Sequence, residues 1–271
     1  MTRPAAWESV PLRRRSPPTP DAAQPSASSE TPSGPRRAGP TCIFCDRPTG
    51  PVEYLWPEWL CHFFTDRLGE WNKDNGSDEA VVDRLRNEVD QTIDCICGPC
   101  SNGWMRRLDD NVSTFLTPMM VGSRTRLSPT QQRLLARWSA KNAAVIECCY
   151  DAPTRTPPSA FEYLRRIGVH PGTQVLVGRY EGDAQVLSHE RDLFCRTIDD
   201  DEHYLSQSSF VIGKLLIQVL ADPQQHSTPE LGEDVARLLL ALVPSLDRKI
   251  DWPPPLSIDD PLYDLVRLGP M

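Results

Sequence analysis

The longest regular pattern of apolar positions runs from Ser128 to about Tyr150, where Leu134, Leu135, Trp138, Ala143, Val145 and Ile146 recur at helical spacing. It opens on Ser128-Pro129. A serine hydroxyl can accept from the orphan N–H groups of a first turn, and proline has no N–H to lose there, so the pair predicts a helix start. Further helices are expected at Pro57 to about Leu68, with Trp59, Leu60, Phe63 and Phe64 on one face and Gly69 as terminator. Others follow at Pro158 to Ile167, Glu230 to Leu242 and 257–267. Alternation of apolar and polar residues predicts a strand at Val89 to Cys97 and a small antiparallel sheet from Thr173–Tyr180, Ala184–Cys195 and Ser208–Leu220. Val52 to Leu55 reads as a short extended stretch, residues 70–80 as a polar loop with an Asn75-Gly76 turn, and Trp252-Pro253-Pro254-Pro255 as an extended crossing.

Residues 1–40 have no such pattern and hold nine of the 27 prolines among Ser, Ala and Thr, so a disordered Pro/Ser/Arg-rich arm is expected there. The expected organisation is α+β: the arm at 1–40, a small metal-stapled domain at 41–125, and an α+β domain of helices and a small antiparallel sheet at 126–270. A chain of 271 residues can bury about three quarters of its surface, so core size is not limiting. The net charge is −8, and because the arm carries six arginines against three acidic residues, or +3, the body carries −11. That balance disfavours sequence-independent DNA binding, which depends on neutralising phosphates, and leaves Arg84/Arg86, Arg106/Arg107, the run Arg124, Arg126, Arg133, Arg137 and Lys141, and Arg165/Arg166 as local basic candidates against an ordinary mixed solvated surface. Nine cysteines, an odd number, in an acidic chain argue against a disulfide framework and for a reducing compartment. Prolines follow Arg13, Arg14 and Arg15 where a signal peptide would be apolar, and no window approaches the roughly 18 apolar residues of a membrane span, so a soluble cytoplasmic protein with no membrane partner is expected.

The chemistry concentrates in two Cys-x-x-Cys hooks, Cys42/Cys45 and Cys97/Cys100, around a 51-residue segment. Four thiolates at this spacing are a zinc-ligand set, and with no coordination position left open the ion would be structural rather than catalytic. Cys95, on the same expected strand face as Cys97, and Cys61 are alternative ligands. Cys148, Cys149 and Cys195 read as buried small hydrophobes, and Trp56, Trp59 and Trp104 as packing around the metal unit.

Around the hooks, Cys42-Ile-Phe-Cys45, then Glu53-Tyr54-Leu55-Trp56-Pro57-Glu58-Trp59-Leu60, then Cys97-Gly-Pro-Cys100-Ser101-Asn102-Gly103-Trp104-Met105 resemble the zinc-stapled HNH endonucleases of bacteria and phages. The resemblance extends through Trp138-Ser-Ala-Lys141 and Val175–Tyr180 to Trp252-Pro-Pro254. It implies a ββα-metal fold at 41–125, nucleic acid as the partner class, and magnesium or a similar divalent cation at Glu53. It also implies a general base at Tyr54, where the family has His, and a second metal ligand at Ser101, where it has Asn or His. Tyrosine is protonated at neutral pH and a poor base, and losing a matched base forfeits about 10²–10⁴ in rate. Asn102 is one residue away, about 100° around a helix start. His62 is the one histidine between the hooks; Glu58 and Asp66 read as surface acids; His170, His189, His203 and His226 lie outside the motif. The expectation is an HNH endonuclease-like zinc protein, nucleic-acid associated, with weakened or lost catalysis. The alternative is a zinc-stabilised protein-interaction domain.

Overall fold

The computed structural model describes residues 8–14, 41–74, 79–150, 156–182, 187–198, 201–222, 233–243 and 248–268. The metal unit contributes β2 (Glu53–Tyr54), α1 (Glu58–Asp74), α2 (Glu79–Val89) and β3 (Thr92–Ile93), after β1 (Glu8–Val10) at the N-terminal end. A single turn, α3 (Gly98–Cys100), runs through a π-turn at Ser101–Met105 into α4 (Arg106–Met120), followed by β4 (Thr125–Leu127), α5 (Pro129–Glu147) and α6 (Pro158–Arg166). The rest is β5 (Thr173–Tyr180), β6 (Leu187–Ile198), β7 (Asp201–Ile212), β8 (Leu215–Ala221), α7 (Glu233–Leu238), β9 (Leu240–Val243), β10 (Ile250–Trp252), β11 (Ser257–Ile258) and α8 (Asp260–Leu268).

The mixed α+β class agrees with the sequence, and so does α5. Ser128 Oγ accepts from Gln131 N–H while the Gln131 side chain accepts from Ser128 N–H at 2.9 Å, a reciprocal capping box. Ser128→Ala should cost about 1 kcal/mol in chemical denaturation; a change too small to resolve would mean that tertiary packing alone sets this helix end.

The main sheet has seven strands in the order β1-β6-β7-β8-β5-β11, with β9 also paired to β5, and every pairing is antiparallel except β11 with β5. Its two faces are sorted by alternation. Val175, Val177, Phe210, Ile212, Leu215, Ile217 and Val219 join the core under α4 and α5, whereas Leu176, Val211, Leu216 and Leu220 pack with Val235, Tyr263 and Val266 of α7 and α8 on the other side. Gln207 and Gln218 reach across that second layer to donate to the carbonyls of Arg267 and Val266, satisfying the C-terminal end of α8.

Several expectations are corrected. Val89–Cys97 is not one strand: Val82, Leu85 and Val89 form the buried face of α2, and only Thr92–Ile93 pairs with β2. Gly69 does not end α1, which continues to Asp74. The segment 208–220 divides at Gly213, whose φ of +60° and close approach to Met120 exclude a side chain, because a Cβ would meet the Met120 carbonyl oxygen at 2.4 Å. The helix expected to reach Leu242 stops at Leu238, and Leu240–Val243 pairs with β5. Residues 8–14 of the arm are ordered, with β1 on the edge of β6 and Arg14 bridged to Tyr150; the rest of the arm, 1–7 and 15–40, lies outside the described residues. One hydrophobic core runs across position 125, from Cys42 and Trp56 to Phe210 and Trp252. Trp56 packs on Phe210 at 6.0 Å and Phe44 on Phe161 at 6.1 Å between ring centroids.

Candidate metal centre

Each hook is a backbone turn that aims two thiols the same way. In the first, Cys42 N–H donates to Arg47 O at 2.8 Å, Cys45 N–H donates to Cys42 O at 3.3 Å, and Asp46 adopts a φ of 56°. In the second, Cys100 N–H and Ser101 N–H both donate to Cys97 O, at 2.9 and 3.1 Å. The hooks are sewn together by Ile43 N–H to Cys95 O at 3.1 Å and Gly50 N–H to Ile96 O at 3.0 Å. Gly50 keeps that seam close, since a Cβ there would stand 3.0 Å from Gly98 N.

The result brings Cys42, Cys45, Cys97 and Cys100 together with all ligand atoms within 4.8 Å of one another. Cys45 Sγ lies 3.4 Å from Cys97 Sγ and 3.5 Å from Cys100 Sγ. A tetrahedron of sulfurs about 2.3 Å from a central zinc has edges of about 3.8 Å, so the spacing suits such an ion. Protonation chemistry points the same way. Burial pushes the Cys42 and Cys100 thiols up. Burial opposes ionisation of Cys45 as well, but the Arg47 backbone N–H and the three neighbouring thiols donate to it and hold it below the ordinary thiol value. Of the three shifted thiols Cys45 is the one favoured to ionise, and a bound dication would let all four ligands ionise together. Among the described residues this is the one group of three or more His, Cys, Asp or Glu side chains placed to hold a metal ion.

Both alternative ligands are engaged elsewhere. Cys61 donates to the Trp56 and Val89 carbonyls, each at 3.7 Å, and burial pushes its thiol up to about 11. Cys95 is disulfide-bonded to Cys148 at the C-terminal end of α5, across 53 residues of sequence, which corrects both the expectation of free thiols and the reading of Cys148 as a buried hydrophobe. On a chain-entropy account, closing a loop of that length stabilises the fold by about 4 kcal/mol. Nothing in the cysteine count could reveal the pair, because proximity of the second hook to the end of α5 is a tertiary fact.

Glu53 and Tyr54 form β2 and pair with Ile93 and Thr92 of β3. The Glu53 side chain is half-buried and Tyr54 is 61 % exposed. Ser101 follows the last ligand at the start of the π-turn, half-buried, and Asn102 beside it is exposed. His62, Glu58 and Asp66 are exposed on α1. Trp104 packs edge-on against Phe44 at 5.1 Å with the Arg137 guanidinium 5.5 Å over its ring, and Trp56 is buried, so both act as packing. His189, set aside in the sequence, is fully buried and bonded through Nδ1 to Glu88; His226 lies outside the described residues.

No described helix is long and apolar enough to cross a membrane. No protein-family model, curated protein or solved structure matches the chain.

Proposed function

We propose that this chain is an HNH endonuclease-like protein: a structural zinc at Cys42, Cys45, Cys97 and Cys100 supports a nucleic-acid-associated site in which catalysis is weakened or lost. The observation that carries the reading is the placement of Glu53 and Ser101 relative to the four-cysteine cluster. Glu53 lies on the first of two antiparallel strands and Ser101 directly after the last ligand, at the entry to the long α4 path. A strand pair followed by a helix, closed by two hooks, is the order that a ββα-metal unit needs, with α1 and α2 inserted between its strands. At such a site Glu53 is the acidic ligand for a divalent cation that would polarise a phosphodiester. Tyr54, exposed and phenolic, stands where a water-activating base is required, and the Ser101 hydroxyl is shorter and weaker as a ligand than a carboxamide. The altered pair explains why little hydrolysis is expected from a scaffold that keeps the rest.

The test is plasmid nicking in magnesium, manganese and nickel. The parent chain should be inert or nearly so, and Tyr54→His/Ser101→Asn should gain about 10²–10⁴ in rate, the amount a matched general base supplies. Strong cleavage by the parent that disappears in Glu53→Ala would overturn the loss of catalysis. An inert double variant together with absent DNA and RNA binding by the parent would overturn the nuclease-like reading altogether.

A further inference from the structure

The segment that carries the second hook is fastened to α5 at both of its ends. At one end Cys95 is disulfide-bonded to Cys148, the residue that closes the C-terminus of α5. At the other, Trp104 lies under the Arg137 guanidinium, which stands 5.5 Å from its ring and is itself held by donating to the Leu164 and Arg165 carbonyls of α6. Cys148 and Arg137 are about three turns apart on one helix. Both metal ligands of this hook, Cys97 and Cys100, fall between the two fastenings. The first hook is carried on the second: Ile43 N–H donates to Cys95 O at 3.1 Å, Gly50 N–H donates to Ile96 O at 3.0 Å, and Phe44 packs edge-on against Trp104 at 5.1 Å. Cys95 therefore joins three parts. Its sulfur is bonded to α5, its carbonyl holds the residue next to the ligand Cys42, and the ligand Cys97 is two residues further on. Cys95 and Cys148 are each half-buried, whereas Cys97 and Cys149 beside them are buried, so the disulfide lies at the edge of the core.

The energetic consequence follows from which state each constraint acts on. Four thiols that arrive on two separate turns must be gathered before an ion can bind, and that ordering is charged against affinity. While the disulfide stands, Cys97 and Cys100 are held on α5 and the first hook is held opposite them through the Cys95 carbonyl, so much of the ordering is present before the ion arrives. Cleaving the bond returns freedom mainly to the metal-free state, because in the bound state the ion itself keeps the four sulfurs together. Affinity for the ion falls accordingly. Coupling between two equilibria is reciprocal, so a bound ion must disfavour cleavage of the disulfide by the same factor.

We propose that the Cys95–Cys148 disulfide is a redox clamp on the metal centre: zinc is held tightly while the bond stands and is given up when a thiol reductant cleaves it. The inference rests on the zinc reading of the four cysteines and is independent of any nuclease role. The reductant is a monothiol such as glutathione. One thiolate attacks a sulfur of the S–S bond to form a mixed disulfide, and a second thiolate resolves it. Two electrons and two protons pass to Cys95 and Cys148, which leave as thiols while the two monothiols leave as their disulfide.

The experiment measures zinc affinity by competition with a chromophoric chelator on the full chain in three forms: with the disulfide intact, after reduction by a phosphine, and as Cys148→Ser. Circular dichroism is recorded on each. The reduced parent and Cys148→Ser should bind zinc at least tenfold more weakly than the intact parent, with their helical signal unchanged. Cys195→Ser, which removes a half-buried thiol on β6, should match the intact parent. In glutathione buffers the zinc-loaded parent should need more reducing conditions than the metal-free parent to reach half reduction, and the two reduction constants should differ by the factor found for zinc. Equal zinc affinity of the intact and reduced parent would overturn the clamp and leave the zinc reading standing, whereas a parent that carries no zinc would overturn both. The clamp is also wrong if Cys148→Ser binds zinc as the intact parent does, if the two factors disagree, or if reduction unfolds the whole chain, since weaker binding would then report global stability.

Discussion

Replacing Cys100 by serine is expected to abolish metal binding and to unfold the segment from Thr41 to Met105. In elemental analysis the parent should carry one zinc per chain and the variant none. Metal binding in small zinc peptides contributes about 10–16 kcal/mol, which is comparable to the whole net stability of a typical domain at about 5–15 kcal/mol. The dependence should be strong here because the segment is rich in turns. Two hydrogen bonds sew one hook to the other, and β2 and β3 are two residues each. The ligand side chains Cys42, Cys97 and Cys100 are themselves part of the core, with Phe44 and Ile96 packed beside them. Losing the ion would leave four crowded sulfurs in the core without the cation that holds them together. Chelation of the parent should reproduce the variant, and acid should favour release, because protons compete with the cation for the four thiolates. A metal-free parent, or a Cys100→Ser protein with unaltered thermal unfolding, would remove the staple from the account of this fold.

The second large effect should come from the other side of the core. Arg191 on β6 donates from Nη2 to Glu147 Oε1 at 2.7 Å, with the two side chains 0 % and 6 % exposed. Each charge is held out of water, and the Nε and Nη1 atoms of Arg191 are buried without a hydrogen-bond partner among the described residues. The pair is therefore costly to bury and more costly to break. Arg191→Met should destabilise the protein by about 3–5 kcal/mol, because the Glu147 carboxylate loses the guanidinium that compensates it. In a chain of this size the midpoint of thermal unfolding should fall on the order of 10 °C. The double replacement Arg191→Met/Glu147→Leu should recover part of the loss, since it removes the charge that Arg191 compensates. Equal stability of the single and double variants would show that packing around the arginine stem, rather than charge, holds this position.

Much of the secondary structure was legible because its cause is local. Ser128, Pro129 and Gln131 are within one helical turn, so the start of α5 can be read without knowing what the helix packs against. The strand Thr173–Tyr180 matches its expected bounds: Val175, Leu176 and Val177 form a β-branched and apolar centre, buried on both faces, within a stretch ended by polar residues. Where the same local signal serves two structures, tertiary packing decided. The expected strand from Val89 to Cys97 loses its first residue to the end of α2 and keeps only Thr92–Ile93 as a pairing, and the apolar run 239–243 supplies an edge pairing on β5, Leu240–Val243.

The metal ligands belong to the legible part as well. Two residues between cysteines is the reach of a single backbone turn, so each hook is written in the chain, and the fold had only to bring the hooks together. The Cys95–Cys148 bond, the Glu88–His189 pair and the docking of Arg14 join positions 53, 101 and more than 70 residues apart. No periodicity or spacing rule connects such positions, because loop closure carries no sequence signature at those separations. Sequence by itself determined the two hooks, the helix caps and the alternation of the buried strands, all set by interactions within a few residues. Only the tertiary structure decided which thiols meet, which charges are buried in pairs, and that an arm rich in proline returns to close the edge of the sheet.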